Sequence, residues 1–90
     1  MLLKFFFKKR LFAFVQYLKD QEFIEKFGKK LKELRESKEM SQEALALKTN
    51  ISQSQIARTE TGKVNTSISH VAAYAKALNI EVKALFEFNR

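Results

Sequence analysis

Ser41-Gln42-Glu43-Ala44-Leu45-Ala46-Leu47-Lys48-Thr49-Asn50-Ile51-Ser52-Gln53-Ser54-Gln55-Ile56-Ala57-Arg58-Thr59-Glu60-Thr61-Gly62 is the stretch that decides how this 90-residue chain folds. Ser41 stands where a helix N-cap belongs, its hydroxyl free to accept an orphan backbone N–H, and Glu43 follows against the positive end of the same helix. A short helix over 42–49 is expected. Asn50 closes it, because asparagine is second only to glycine in adopting the left-handed conformation that ends a helix. Ser52 and Gln55 have the spacing of a capping box and start another helix over 53–60, which Gly62 ends. With only Asn50-Ile51-Ser52 between them, the two helices cannot lie antiparallel, so the second leaves the first at a large angle.

The flanks supply the rest of a core. Upstream, Phe23, Phe27, Leu31 and Leu34 recur at helical spacing and predict a helix over 22–37 that breaks at Ser37-Lys38-Glu39-Met40. Gly28 inside it costs about 1 kcal/mol against alanine, which points to the close approach of another helix. Downstream, polar residues 63–67 lead to a helix over 68–78 with Ile68, Val71, Tyr74, Ala75 and Leu78 on one side, and Asn79 repeats the stop. A last short helix over 82–86 adds Leu85 and Phe86. No proline and two glycines agree with an all-α chain.

Composition removes whole classes of function. At 46% apolar and 30% charged, 90 residues make one globular core. Without cysteine, and with His70 as the single histidine, disulfides, zinc clusters, thiol nucleophiles and Ser/His/Asp constellations lack their parts. Two glycines leave no glycine-rich phosphate loop. No enzyme, metal or cofactor is expected, and a cytoplasmic location agrees with the absence of cysteine. Seventeen Lys and Arg against ten Asp and Glu give +7, so a polyanion, either nucleic acid or an anionic membrane face, is the first partner to consider.

The pattern Ser41-Gln42-Glu43-Ala44-Leu45-Ala46-x-x-x-Asn50-Ile51-Ser52-x-x-x-Ile56-x-Arg58-x-Glu60-x-Gly62, followed by Ala75-x-x-Leu78-x-Ile80 and Leu85-Phe86, resembles the lambda-repressor-like (Cro/C1, XRE-type) helix-turn-helix domain over residues 23–88. The resemblance implies an all-α, five-helix lambda-repressor-like domain, assigned to residues 23–90; the spacing of apolar residues in 1–22 separately predicts an additional N-terminal amphipathic, helical segment. Ala46 is small where the two motif helices cross; Leu45, Ile51 and Ile56 set their angle by burial worth about 1.5 to 3 kcal/mol each. The resemblance further implies a partly buried ion pair between Arg35 and Glu60, against which stands an ordinary surface pair worth about 0 to 1 kcal/mol. Three positions depart from the family pattern. Asn50 replaces a turn glycine, Thr59 fills a normally apolar slot and predicts looser packing there, and Asn65-Thr66-Ser67 lacks a common proline, which predicts a mobile loop.

Double-stranded DNA is the partner so implied, with Gln53, Ser54, Gln55 and Arg58 on the exposed face of the helix that enters the major groove. Glutamine pairs bidentately with adenine N6 and N7, worth about 1 to 3 kcal/mol of discrimination. Similar phage repressors carry glutamine at the positions of Gln42 and Gln53, the first bracing the second and touching a phosphate. Lys63, Asn65, Thr66 and Ser67 offer donors to backbone phosphates, which set register without reading sequence, or are simply solvated. Residues 23–90 carry twelve basic against eight acidic side chains, so useful affinity and specificity imply a homodimer on a pseudo-palindrome. Ala84, Phe86 and Phe88 are the interface candidates, Phe88 because little core is left for it to join.

Residues 1–22 hold Phe5, Phe6, Phe7, Phe12 and Phe14 and the basic Lys8-Lys9-Arg10, with Leu3, Phe7, Leu11, Phe14 and Leu18 at helical spacing. Lys4, Lys8–Arg10 and Gln16 interrupt the stretch, so no transmembrane span is expected, and it lacks the layout of a signal peptide. Three readings stay open: an extra helix packing on the domain or a second subunit, a basic aromatic arm on DNA or membrane, or a disordered extension without a role; a protein partner bound through this segment is also open. The function expected is a small repressor or controller. The alternatives are the antitoxin of a toxin-antitoxin pair and a protein-bridging module on the same fold.

Overall fold

The structure is a computed structural model and describes residues 20–89. The expectations for the N-terminal extension fall on residues that lie, up to 19, outside the described ones. Four α-helices follow in order, α1 (Gln21–Ser37), α2 (Gln42–Thr49), α3 (Gln53–Glu60) and α4 (Ile68–Leu78), and then a 3-10 helix, Val82–Phe86. The expected fifth helix is therefore a tighter turn. Ala84 N–H donates three residues back to Glu81 O at 3.0 Å, the pattern of a segment too short to sustain an α-helix.

Each α-helix starts on a side-chain cap. Ser41 accepts from Ala44 N, Ser52 from Gln55 N and Ser67 from His70 N, at 3.0, 3.1 and 3.1 Å. Asp20 caps α1 by accepting from Phe23 N, so α1 begins one residue before the expected start. Assigning residues 1–22 to the extension separates Asp20 from the helix it caps. Asn50 (φ 61) and Asn79 (φ 56) close α2 and α4 in the left-handed conformation.

Phe27, Leu31, Leu45, Ile51, Ile56, Tyr74, Ala75, Leu78 and Leu85 form one core drawn from all the elements. Ile68 is not part of it. It is 88% exposed, because the apolar stripe of α4 runs past the edge of the core at its first residue. Phe88 does find a neighbour, contrary to expectation: its ring meets Phe23 edge-on with centroids 5.3 Å apart, and Phe86 stacks on Phe23 at 5.9 Å. Such aromatic pairs add about 0.5 to 1.5 kcal/mol beyond burial. Phe86 nonetheless stays exposed on its outer side.

Gly28 lies where α1 crosses the end of α3. A Cβ there would overlap Thr59 O and stand 2.9 Å from Glu60 O, so only glycine lets the two backbones meet this closely. Thr59 is fully buried rather than loosely packed, since its hydroxyl donates to Gln55 O at 2.9 Å and so brings no unpaired donor into the core. Beneath it, burial pushes the Tyr74 phenol above its ordinary pKa, an effect the nearby Thr59 hydroxyl offsets and the Glu60 charge reinforces. Among the described residues the Tyr74 hydroxyl has no hydrogen-bond partner of ordinary geometry, despite facing Thr59. Tyr74→Phe is accordingly expected to change stability by less than about 1 kcal/mol in urea unfolding; a larger loss would show that this hydroxyl is bonded in solution.

Candidate nucleic-acid interface

The corner between α2 and α3 is locked from behind. Leu45 and Ile56 are fully buried and Ile51 nearly so, which leaves α3 one orientation relative to α2. On the opposite side Gln53, Ser54 and Arg58 are exposed and Gln55 half-buried, so α3 presents a polar ridge that the core does not use. Gln53 and Ser54 occupy its first turn, immediately after the Ser52 cap.

Glu60 anchors the other end of α3. Arg35 Nε donates to Glu60 Oε2 at 2.7 Å and Arg35 Nη2 to Glu60 Oε1 at 3.0 Å, a two-pronged pair between buried side chains. The third prong, Arg35 Nη1, donates to Met40 O at 2.6 Å. Hydrogen bonding to Glu60, against the opposing effect of burial, holds the guanidinium above its ordinary pKa. One arginine thus ties α1 and the α1–α2 loop to the end of α3.

Gln42 joins this cluster instead of bracing Gln53. Its Nε2 donates to Glu60 Oε1 at 2.9 Å, because a buried carboxylate already oriented by Arg35 is a stronger acceptor than an exposed amide across the turn. The expected brace between the two glutamines is therefore not made here, and Gln42 instead ties α2 to the end of α3.

After α3, Gly62 takes a left-handed φ of 74, and the chain turns into residues 63–67. Lys63, Asn65 and Ser67 are exposed and Thr66 half-buried. Ser67 accepts the cap bond from His70 and keeps its own O–H proton available. Gln21 holds the start of this loop, its Nε2 donating to Gly62 O at 2.8 Å. Sequence reasoning passed over Gln21, since the two partners are 41 residues apart and no local spacing announces the contact. Of the dimer candidates, Ala84 and Phe88 are half-buried, and Phe86 is exposed, as are the apolar side chains of Leu47, Ile68 and Val82. Among the described residues no group of side chains is arranged to hold a metal ion, and no helix is long and apolar enough to cross a membrane.

Comparison with known proteins agrees with this architecture. A helix-turn-helix family model matches residues 31–85. Control protein C.BamHI of Bacillus amyloliquefaciens is 36% identical over 63 residues, which are 69% of this chain and 78% of that protein. The immunity repressor protein of Bacillus phage phi105 is 38% identical over 58 residues, covering 64% of this chain and 40% of the repressor. The restriction-modification controller protein C.AhdI from Aeromonas hydrophila superposes with a TM-score of 0.69 at 40% identity, covering 70% of this chain and 96% of that one. An HTH_3 family transcriptional regulator from Vibrio cholerae superposes with a TM-score of 0.72 at 28% identity, over 74% of this chain and 38% of the other. With the locked corner of α2 and α3 and the matched span covering most of its length, this chain belongs to the Cro/C1-type (XRE) helix-turn-helix family.

Proposed function

We propose that the protein is a sequence-specific DNA-binding transcriptional regulator, a small controller or repressor that acts by occupying a pseudo-palindromic operator as a homodimer. The observation that carries this reading is the exposed ridge of Gln53, Ser54 and Arg58 on a helix whose inner side is fully buried. A helix so fixed enters the major groove as a rigid body, with its first turn nearest the base edges. Gln53 then reads adenine, Ser54 and Gln55 line the groove, and Arg58 contacts guanine or phosphate. Lys63, Asn65, Thr66 and Ser67 bind backbone phosphates, and Gln42 supports α3 through Glu60.

The names of the relatives support the same reading, being those of a control protein, an immunity repressor and a restriction-modification controller. Dimerisation is supported by the exposed apolar side chains of Val82 and Phe86, near which Ala84 and Phe88 lie in the chain. Residues 1–22 are the candidate contact for a protein partner, and the cytoplasm is the compartment that suits a reader of DNA.

Binding to a selected DNA site across a salt series separates the two kinds of contact. Gln53→Ala is expected to lower affinity for the preferred site by about 5- to 100-fold while leaving non-specific binding nearly intact. Lys63→Ala is expected to weaken all sequences alike and to make the slope of log K against log salt shallower by about 0.9. Equal losses on every sequence for Gln53→Ala would remove its assignment to base readout.

A further inference from the structure

The peptide that leaves α3 is fastened at both of its polar ends. Lys63 N–H donates to Arg58 O at 2.8 Å, inside α3, and the carbonyl of the same peptide, Gly62 O, accepts from Gln21 Nε2 at 2.8 Å, on α1. Gln21 is itself held, because its Nε2 also donates to Glu25 Oε2 at 3.0 Å, one turn further along α1. Gly62 sits flush against that turn. A Cβ at Gly62 would come within 3.1 Å of Glu25 Cα, so this left-handed position packs closely on α1 and takes no larger residue without displacement.

Core packing does not account for this arrangement. Gln21 and Glu25 lie outside the apolar cluster, and α3 is already tied to α1 by the Arg35–Glu60 pair. What the Gln21 bond adds is the orientation of one peptide plane, at the point where the chain passes from the recognition helix into 63–67. A left-handed glycine is a natural pivot, and rotation about it would swing Lys63 and the residues behind it without disturbing α3. The phosphate-facing loop needs its donors in fixed positions, and the sequence there has no proline to stiffen it.

We propose that Gln21 is a positioning residue for DNA binding, which holds the Gly62–Lys63 peptide so that the 63–67 loop meets the phosphate backbone in register. The proposal rests on the regulator reading. It assigns to the first turn of α1 a part in affinity, and none in the choice of bases.

The test uses the full chain with Gln21→Met, which keeps length and helix propensity and removes both donors, in binding to a selected DNA site and to a non-cognate duplex at several salt concentrations. Affinity is expected to fall about 3- to 10-fold on both duplexes, with a salt slope shallower by up to about 0.9. In a Lys63→Ala background the same substitution is expected to matter by less than about 2-fold, because both act through one contact. Unchanged affinity and slope in a variant that remains folded would overturn the positioning role. So would effects of Gln21→Met and Lys63→Ala that simply multiply, or a changed base preference. A parent chain that prefers no DNA sequence would instead overturn the regulator reading, and this proposal with it.

Discussion

Glu60→Ala is expected to destabilise the domain by about 3 to 5 kcal/mol, the range for removing one partner of a buried ion pair. The side chains of Arg35 and Glu60 are 7% and 2% exposed, so the value of about 0 to 1 kcal/mol that applies to surface pairs is the wrong reference. Without the carboxylate, Arg35 keeps only the Met40 carbonyl and Gln42 loses its acceptor, leaving a charge and an amide unpaired within the structure. A domain of about 70 residues has roughly 4 to 10 kcal/mol of net stability, so the variant sits close to the unfolding threshold at room temperature. Urea unfolding measures the loss. The double variant Arg35→Met with Glu60→Leu is expected to recover much of it, because no buried charge is then left alone. A cost below about 1 kcal/mol for Glu60→Ala would show the pair to be solvent-screened and would detach it from the positioning of α3.

Gly28→Val is expected to have an effect of similar size by a different route. Leaving glycine inside α1 normally gains helix stability, about 1 kcal/mol for alanine. Here the first added carbon overlaps Thr59 O and stands 3.0 Å from Glu60 C, and these are backbone atoms that no rotamer change can move. Overpacking costs about 1 to 3 kcal/mol where side chains can yield, so a backbone clash places Gly28→Val at or above the upper end. Gly28→Ala tests the balance in its mildest form: net destabilisation is expected despite the better propensity. Because α1 pushes on the end of α3, the fraction of either variant that stays folded is also expected to bind DNA more weakly. A Gly28→Ala protein that melts above the parent would mean that the crossing is looser than described.

The features that were legible in the sequence are those whose physics is local. Caps at Ser41 and Ser52, left-handed stops at Asn50 and Asn79, and the angle across Asn50-Ile51-Ser52 each depend on a few neighbouring residues, and the helices begin and end where those residues say. Gly28 was legible for a related reason, since a helix tolerates glycine at its centre only when something outside requires it. Position along an element was harder. Ile68 belongs to the right face of α4 by periodicity, but periodicity does not say where the neighbouring layer stops, and Ile68 lies beyond it. Phe88 erred in the opposite direction, because its partner Phe23 is distant in sequence. The interface shows the same division. The exposed ridge of α3 follows from its own spacing, whereas the turn of Gln42 toward Glu60 and the hold of Gln21 on Gly62 depend on side chains brought together from separate helices.

Everything proposed for function depends on α3 reading bases as a rigid, exposed ridge. Selection of bound duplexes from a random pool, run in parallel with the parent chain and Gln53→Ala, tests it most directly. The parent is expected to enrich a pseudo-palindrome with half-sites about 10 base pairs apart, and Gln53→Ala to lose preference at one position in each half while the rest of the motif survives. A pool that stays random with the parent, or a motif that Gln53→Ala selects unchanged, would contradict the account.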